Sequence, residues 1–148
     1  MQNLEKSMIS KLNRRLQWNS SNFLIHPIQI LRLGASLLTK NGQIYTGCNI
    51  ENAAYTPTNC AERTAIFKAV SEGVRGFDTI CIVGGKDGIL TEYTAPCGVC
   101  RQVMMEFCDP ETFRIILAID KEHYDIYTLK DLLPLGFGLR NLINSREI

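Results

Sequence analysis

Asn59-Cys60-Ala61-Glu62-Arg63 and Pro96-Cys97-Gly98-Val99-Cys100-Arg101 carry three thiols and one free carboxylate, each group at a point where a helix begins. A structural zinc site is normally closed by four protein ligands, whereas a hydrolytic one keeps three and leaves the fourth position to water or substrate. Cys60, Cys97 and Cys100, beside a glutamate that need not ligate, match the open kind. Alone, a Cys-x-x-Cys also suits a redox pair or half of a structural zinc site; the upstream Cys-Ala-Glu argues against both. The placement has a physical purpose, because a helix N-terminus carries partial positive charge and unpaired N–H groups that favour thiolate over thiol. Glu62, two residues past Cys60, can face the open position and take a proton from water there. Three thiolates outweigh one divalent ion, and Arg63 can donate to a thiolate sulfur and withdraw the excess charge.

Pro57, Thr58 and Asn59 break the chain and cap a helix over residues 60–72, which Gly73 and Gly76 end. Pro96 opens a second helix over 97–107. Between them, residues 77–83 form a nearly continuous apolar run bounded by glycines, the pattern of a buried central strand. Gly84-Gly85 then predicts a turn, because a dinucleotide loop would need a third glycine and an ensuing helix. Upstream, 31–39 and 43–50 are strands around the hairpin signal Asn41-Gly42, and Leu4, Met8, Ile9, Leu12 and Leu16 share one face of a helix over 4–16. Downstream, 114–119 and 124–127 are strands, and 129–133 is a brief helix before Pro134. The order α-β-β-α-β-α-β-β-α implies a mixed sheet with helices on its faces. Asn49 and Glu51 alternate on the second strand, so both face one way and suit a hydroxyl that donates and accepts.

With 148 residues, 45% hydrophobic and 21% charged, the chain is long enough for one globular domain over 1–148 with a real core. A net charge of +1 argues against nucleic acid as a partner, and no apolar run is long enough to span a membrane. The first residues lack a signal-peptide layout, so a cytoplasmic, reducing location is expected. Six cysteines are then three metal ligands and three small buried hydrophobes, Cys48, Cys81 and Cys108. His26 and His123 lie far from either motif and are not needed as ligands.

A glutamate near the first ligand followed by Pro-Cys-x-x-Cys is the signature of the zinc deaminases. With Gly47-Cys48-Asn49-Ile50-Glu51-Asn52-Ala53-Ala54-Tyr55, Cys60-Ala61-Glu62-Arg63-Thr64-Ala65 and Pro96-Cys97-Gly98-Val99-Cys100-Arg101-Gln102, the chain resembles the small three-cysteine cytidine deaminases over roughly residues 33–138. The resemblance implies a three-layer α-β-α fold with a mixed five-stranded sheet. It also implies zinc-dependent hydrolysis of cytidine or deoxycytidine to the uridine nucleoside and ammonia in pyrimidine salvage. By the same resemblance Cys60, Cys97 and Cys100 hold Zn²⁺, Glu62 shuttles protons, and Arg63 supports the thiolates. Asn49 and Glu51 grip the ribose 3′-OH, the Ala61 N–H binds the base carbonyl, and Tyr55 and Phe137 reach the substrate across subunit contacts of a homotetramer. Two alternatives keep the zinc site: a deaminase of another aminated pyrimidine such as blasticidin S, or an impaired structural or regulatory homologue.

One segment departs from the pattern. Where the family reads Tyr-x-Pro-Tyr-Ser-x-Phe-x-Val-Gly-Ala, with the phenylalanine packing on the pyrimidine, this chain reads Ile25-His26-Pro27-Ile28-Gln29-Ile30-Leu31-Arg32-Leu33-Gly34-Ala35. Shifting the codon frame by one base from Phe23 onward permits Ser-Tyr-Ser-Pro-Tyr-Ser-Asn-Phe-Lys-Val over Leu24 to Leu33. Our hypothesis is that two compensating frameshifts or sequencing errors rewrote the segment, and the nucleotide record tests it directly. An aromatic stacked on a base is worth about 1–3 kcal/mol, so its loss at Leu31 should weaken cytidine binding roughly 5-fold to 150-fold. Writing Tyr-Ser-Pro-Tyr-Ser-Asn-Phe-Lys-Val over residues 25–33 should lower KM for cytidine and raise Tm. Neither change appearing would make the segment a tolerated specialisation.

Overall fold

In the computed structural model, which describes residues 3–11, 31–87 and 89–142, the apolar run that begins at Phe77 becomes the central strand of a five-stranded sheet. The elements are α1 (residues 3–11), β1 (Leu31–Thr39), β2 (Ile44–Cys48), α2 (Ala61–Ser71), β3 (Phe77–Lys86), α3 (Gly98–Phe107), β4 (Arg114–Ala118), β5 (Tyr124–Thr128) and α4 (Leu129–Leu132). The strands lie in the order β2-β1-β3-β4-β5. Only β3 and β4 run parallel, and α3 is the crossover that such a pair needs.

Alternation along the strands sorts side chains to two faces. On one, Ala35, Leu37, Ile80, Ile82, Ile115 and Leu117 meet Ala61, Ala65, Ile66 and Ala69 of α2 and Cys100 and Met104 of α3. On the other, Leu38, Cys81, Val83, Ile116 and Ala118 meet Met8 and Ile9 of α1. This is the expected three-layer arrangement around a mixed sheet. Glu5 on α1 is buried but not alone, since Arg114 of β4 reaches it at 2.9 Å and pairs with Asp78 at 3.1 Å. A charge taken out of water needs such a partner. Leu4, expected on the buried stripe, is instead 42% exposed, and Leu12 and Leu16 lie outside the described residues. No helix among the described residues is long and apolar enough to cross a membrane.

Two strand boundaries differ from the sequence reading by more than one residue. β3 does not turn at Gly84-Gly85 but continues to Lys86, paired with Leu33, Arg32 and Leu31 of β1. A Cβ at Gly84 would lie 2.1 Å from Leu33 Cδ2, and one at Gly85 would lie 1.9 Å from the Ile89 carbonyl oxygen. The glycines therefore mark a close approach within the strand. The chain reverses only at Asp87, whose φ is +53°. β2 ends at Cys48, two residues short of the expected end, and Ile50 is left with a single bridge to Asn59.

Gly47 sets the distance between α2 and the sheet. A Cβ there would stand 2.3 Å from the Ala61 carbonyl oxygen and 2.6 Å from the Ala65 nitrogen, both backbone atoms that cannot swing aside. Gly47→Ala should therefore push α2 off β2 and cost about 1–3 kcal/mol, the usual penalty of overpacking. Thermal denaturation should show a clear fall in Tm. An unchanged Tm would mean that the helix does not depend on this contact.

Candidate active site

Cys60 is the N-cap of α2 and Cys97 the N-cap of α3, both with extended backbone, and Cys100 lies in the first turn of α3. N-caps are usually Ser, Thr, Asp or Asn, whose side chains close the helix end. Here neither cap side chain bonds its helix, so both N-termini face the sulfurs with their N–H groups and partial charge. Asn59, expected among the capping residues of α2, instead donates from Nδ2 to Thr64 Oγ1 at 3.0 Å.

The three sulfurs lie within 4.8 Å of one another, with Cys60 to Cys97 at 3.8 Å and Cys97 to Cys100 at 3.5 Å. Zn–S bonds of about 2.3 Å at tetrahedral angles place sulfurs about 3.8 Å apart. The triad therefore has the spacing and the soft donors of a zinc site with one position left over. The Cys60 thiol is pulled down to about 5, first by its hydrogen bond from Cys100 and then by Arg63 and Cys97 against the opposing effect of burial. The same bond and burial push Cys100 up.

Glu62 and Arg63 enter with α2. Glu62 is 2% exposed, its Oε2 has no hydrogen-bond partner among the described residues, and burial pushes its carboxyl up. Arg63 donates from Nη2 to the Thr58 carbonyl at 3.1 Å and to Cys60 Sγ at 3.6 Å, while its buried Nε is likewise without a partner among the described residues. Ala61, the first residue of α2, is fully buried beneath Gly47.

Asn49 and Glu51 lie past the end of β2 but still meet, Asn49 Nδ2 donating to Glu51 Oε1 at 2.9 Å. Asn49 also accepts from the Leu33 N–H at 2.9 Å and donates to the Leu31 carbonyl at 3.0 Å. Both amide hydrogens are thus engaged, so a bound hydroxyl meets acceptors here. The expected donor would be free only if one of these bonds were exchanged. The sequence reading misses Thr58, whose hydroxyl lies 3.4 Å from Glu51 Oε2; nothing in local spacing announces that contact.

Tyr55 sits at φ +60° on the intervening loop and is 67% exposed, and Phe137 is 57% exposed. The Phe137 carbonyl accepts from Gln102 of α3 at 2.8 Å, and Arg101 ties the Pro96 carbonyl to that of Leu132, both at 2.8 Å. The helix that carries Cys100 thus holds the segment that carries Phe137. His123 pairs with Asp120 at 2.8 Å and is not part of the sulfur cluster, and His26 lies outside the described residues.

Residues 17–116 match the model of the cytidine and deoxycytidylate deaminase zinc-binding region. The cytidine deaminase of Sporosarcina psychrophila is 45% identical over 121 residues, 82% of this chain and 85% of that protein. The crystal structure of cytidine deaminase from Burkholderia pseudomallei superposes with a TM-score of 0.71 at 36% identity, over 86% of this chain and 98% of that one. The blasticidin-S deaminase of Bacillus cereus is 33% identical over 109 residues, 71% of this chain and 76% of that protein.

The other cysteines divide unevenly. Cys81 is fully buried between the sheet and α1, and burial pushes its thiol up to about 12. Cys108, at the end of α3, is only partly covered, yet burial pushes it up to about 12 as well. Cys48 is partly exposed, not buried as expected. A thiol with that value is about 10⁻⁴ thiolate at pH 8, and only thiolate alkylates. Iodoacetamide at pH 8 should therefore spare Cys81 and Cys108 in the folded protein and label both after unfolding, as read by peptide mass mapping. Rapid native labelling of either would show that its sulfur is not desolvated.

Proposed function

The chain belongs to the cytidine and deoxycytidylate deaminase zinc-binding family, and from that premise we propose that it hydrolyses cytidine or deoxycytidine to the uridine nucleoside and ammonia. The observation that carries the reading is a buried carboxylate with a free oxygen, Glu62, on the same helix end as one of three clustered sulfurs. We assign Cys60, Cys97 and Cys100 as the residues that would hold Zn²⁺. When bound, the ion supplies Lewis-acid activation of water.

The chain's own residues then have separable tasks. Glu62, raised by burial toward the range where a carboxyl can both take and return a proton, takes one proton from the attacking water and delivers it to N3 of the pyrimidine, then takes the second from the hydroxyl formed on C4 and delivers it to the departing amine as the carbonyl forms. Water oxygen ends on C4 and the exocyclic nitrogen leaves as ammonia. Arg63, donating to Cys60, offsets the negative charge of the thiolates. The Ala61 N–H, at a helix start without an intrahelical partner, is assigned to the base carbonyl. Glu51 accepts from the ribose 3′-OH, and Asn49 holds that carboxylate in place and offers its remaining Oδ1 lone pair.

Tyr55 and Phe137 are exposed in the single chain, which supports their assignment to contacts across a homotetramer. The setting we assign is cytoplasmic pyrimidine salvage. A second reading, a deaminase of another aminated pyrimidine, draws support from the blasticidin-S relative and from Leu31 where an aromatic is expected. The Asn49–Glu51 pair favours the nucleoside, because it suits a sugar hydroxyl.

Purified protein should release ammonia from cytidine or deoxycytidine, faster than from free cytosine or blasticidin S, and should contain one zinc per chain. Turnover of blasticidin S alone would install the second reading, and zinc without turnover of any of these would leave a structural or regulatory homologue. Glu62→Gln should keep its zinc and lose about 10²-fold to 10⁴-fold in kcat, the span of general acid–base catalysis. Near-normal turnover would remove Glu62 from proton transfer.

A further inference from the structure

Thr58 stands between the two halves of the site and belongs to neither as assigned so far. Its backbone carbonyl accepts from Arg63 Nη2 at 3.1 Å, the guanidinium nitrogen that also reaches Cys60 Sγ. Its hydroxyl accepts from the Asn52 N–H at 3.1 Å and lies 3.4 Å from Glu51 Oε2. A hydroxyl has one proton and two lone pairs. With one lone pair directed at the Asn52 N–H, the proton is free to point at the Glu51 carboxylate. The other Glu51 oxygen is already held by Asn49 Nδ2 at 2.9 Å. Two donors, one on each oxygen, orient the carboxylate.

The loop between them is short and pinned. Ile50 and Asn59 exchange backbone hydrogen bonds of 2.8 and 2.9 Å, so residues 50–59 form a closed loop with Thr58 just inside its base. Thr58 is partly buried there, and its position is set by the same closure that positions Cys60 two residues on. Displacement of Thr58 is therefore felt at Glu51 through the side chain and at Arg63 through the carbonyl.

We propose that Thr58 is a positioning residue for the sugar-binding carboxylate: its hydroxyl orients Glu51 for a substrate hydroxyl while its carbonyl holds Arg63 against Cys60. The inference rests on the nucleoside reading above. It assigns to Thr58 an effect on substrate binding that acts through Glu51 and leaves the sulfur triad intact.

Thr58→Val keeps the shape and removes the hydroxyl, and Thr58→Ser restores the hydroxyl without the methyl group. Losing one hydrogen bond to an orienting partner should raise KM for cytidine about 3-fold to 10-fold while kcat stays within about 2-fold, with zinc content and Tm close to wild type. Thr58→Ser should return KM to near the wild-type value. In a Glu51→Gln background, Thr58→Val should add little further, because residues that act through one another are not additive. Unchanged KM in Thr58→Val, or a full additional loss in the Glu51→Gln background, overturns the proposal. So does a fall in Tm or zinc that Thr58→Ser fails to rescue, since that is the mark of a loop-packing role. If the wild-type protein does not turn over cytidine at all, the nucleoside reading fails instead, and the two failures are distinguished by that single control.

Discussion

Two helix N-termini aimed at one point, with no side chain capping either, is the constraint on which the rest of the structure depends. Uncapped ends cost about 1 kcal/mol each when compared with a good cap. Here the cap positions are given to Cys60 and Cys97, whose sulfurs turn toward each other. The topology makes the convergence possible. α2 leads into β3 and α3 leaves it, so both helices lie on the same face with their N-termini beside the end of β3 from which α3 departs. The parallel pairing of β3 with β4 is the price of that arrangement in loop-closure entropy, because it commits the chain to a full crossover.

Gly47 is the second element of the same constraint. With no Cβ, β2 lets the Ala61 carbonyl come within contact distance, and the first turn of α2 is pressed onto the sheet. Small residues continue the contact along the helix at Ala61, Ala65 and Ala69, all fully buried. The consequence is chemical as well as mechanical, for Glu62 and Arg63 cannot retreat into solvent. Each keeps a buried polar atom unpaired among the described residues, a condition that costs about 1–3 kcal/mol where nothing else satisfies it. Unpaired atoms of this kind, in adjacent residues beside a ligand cluster, are what a site prepared for a metal, water and substrate leaves open.

The sulfur cluster was legible in the sequence because cysteine spacing is informative, so Cys60, Cys97 and Cys100 could be grouped without coordinates, and the structure brings them together with Glu62 buried on the same helix end. The sheet was legible where a single cause produces a single pattern, as in the apolar run of β3. It was misread where one pattern has two causes. Gly84-Gly85 serves a turn or a close backbone approach equally well, and only the positions of Leu33 and Ile89 decide between them. Leu4 fits the helical stripe of α1 yet stands half in solvent, because periodicity gives a direction and not the depth of the neighbouring layer. Thr58 was read only as a residue that breaks the chain before α2, because its contact to Glu51 crosses a closed loop with no repeat or motif to mark it.

The departure of the chain from its family between Phe23 and Gly34 bears on the same question from another side. Within that stretch the structure describes Leu31, Arg32 and Leu33, the beginning of β1. Asn49 binds this strand only at main-chain groups, the Leu33 N–H and carbonyl and the Leu31 carbonyl. β3 does the same through the ladder that pairs Leu31 with Lys86 and Leu33 with Gly84. Hydrogen bonds to the main chain do not depend on which side chain is present, so a strand can lose its side-chain identity here and keep its register. Leu31, 47% exposed, then carries the loss at its side chain alone, while Asn49 and through it Glu51 stay where the backbone puts them. A segment rewritten in sequence but anchored through its main chain would leave the sulfur triad and Glu62 untouched as far as the described residues 31–33 reach, since among the described residues the side-chain hydrogen bonds to that stretch come from Asn49 and not from the triad or Glu62.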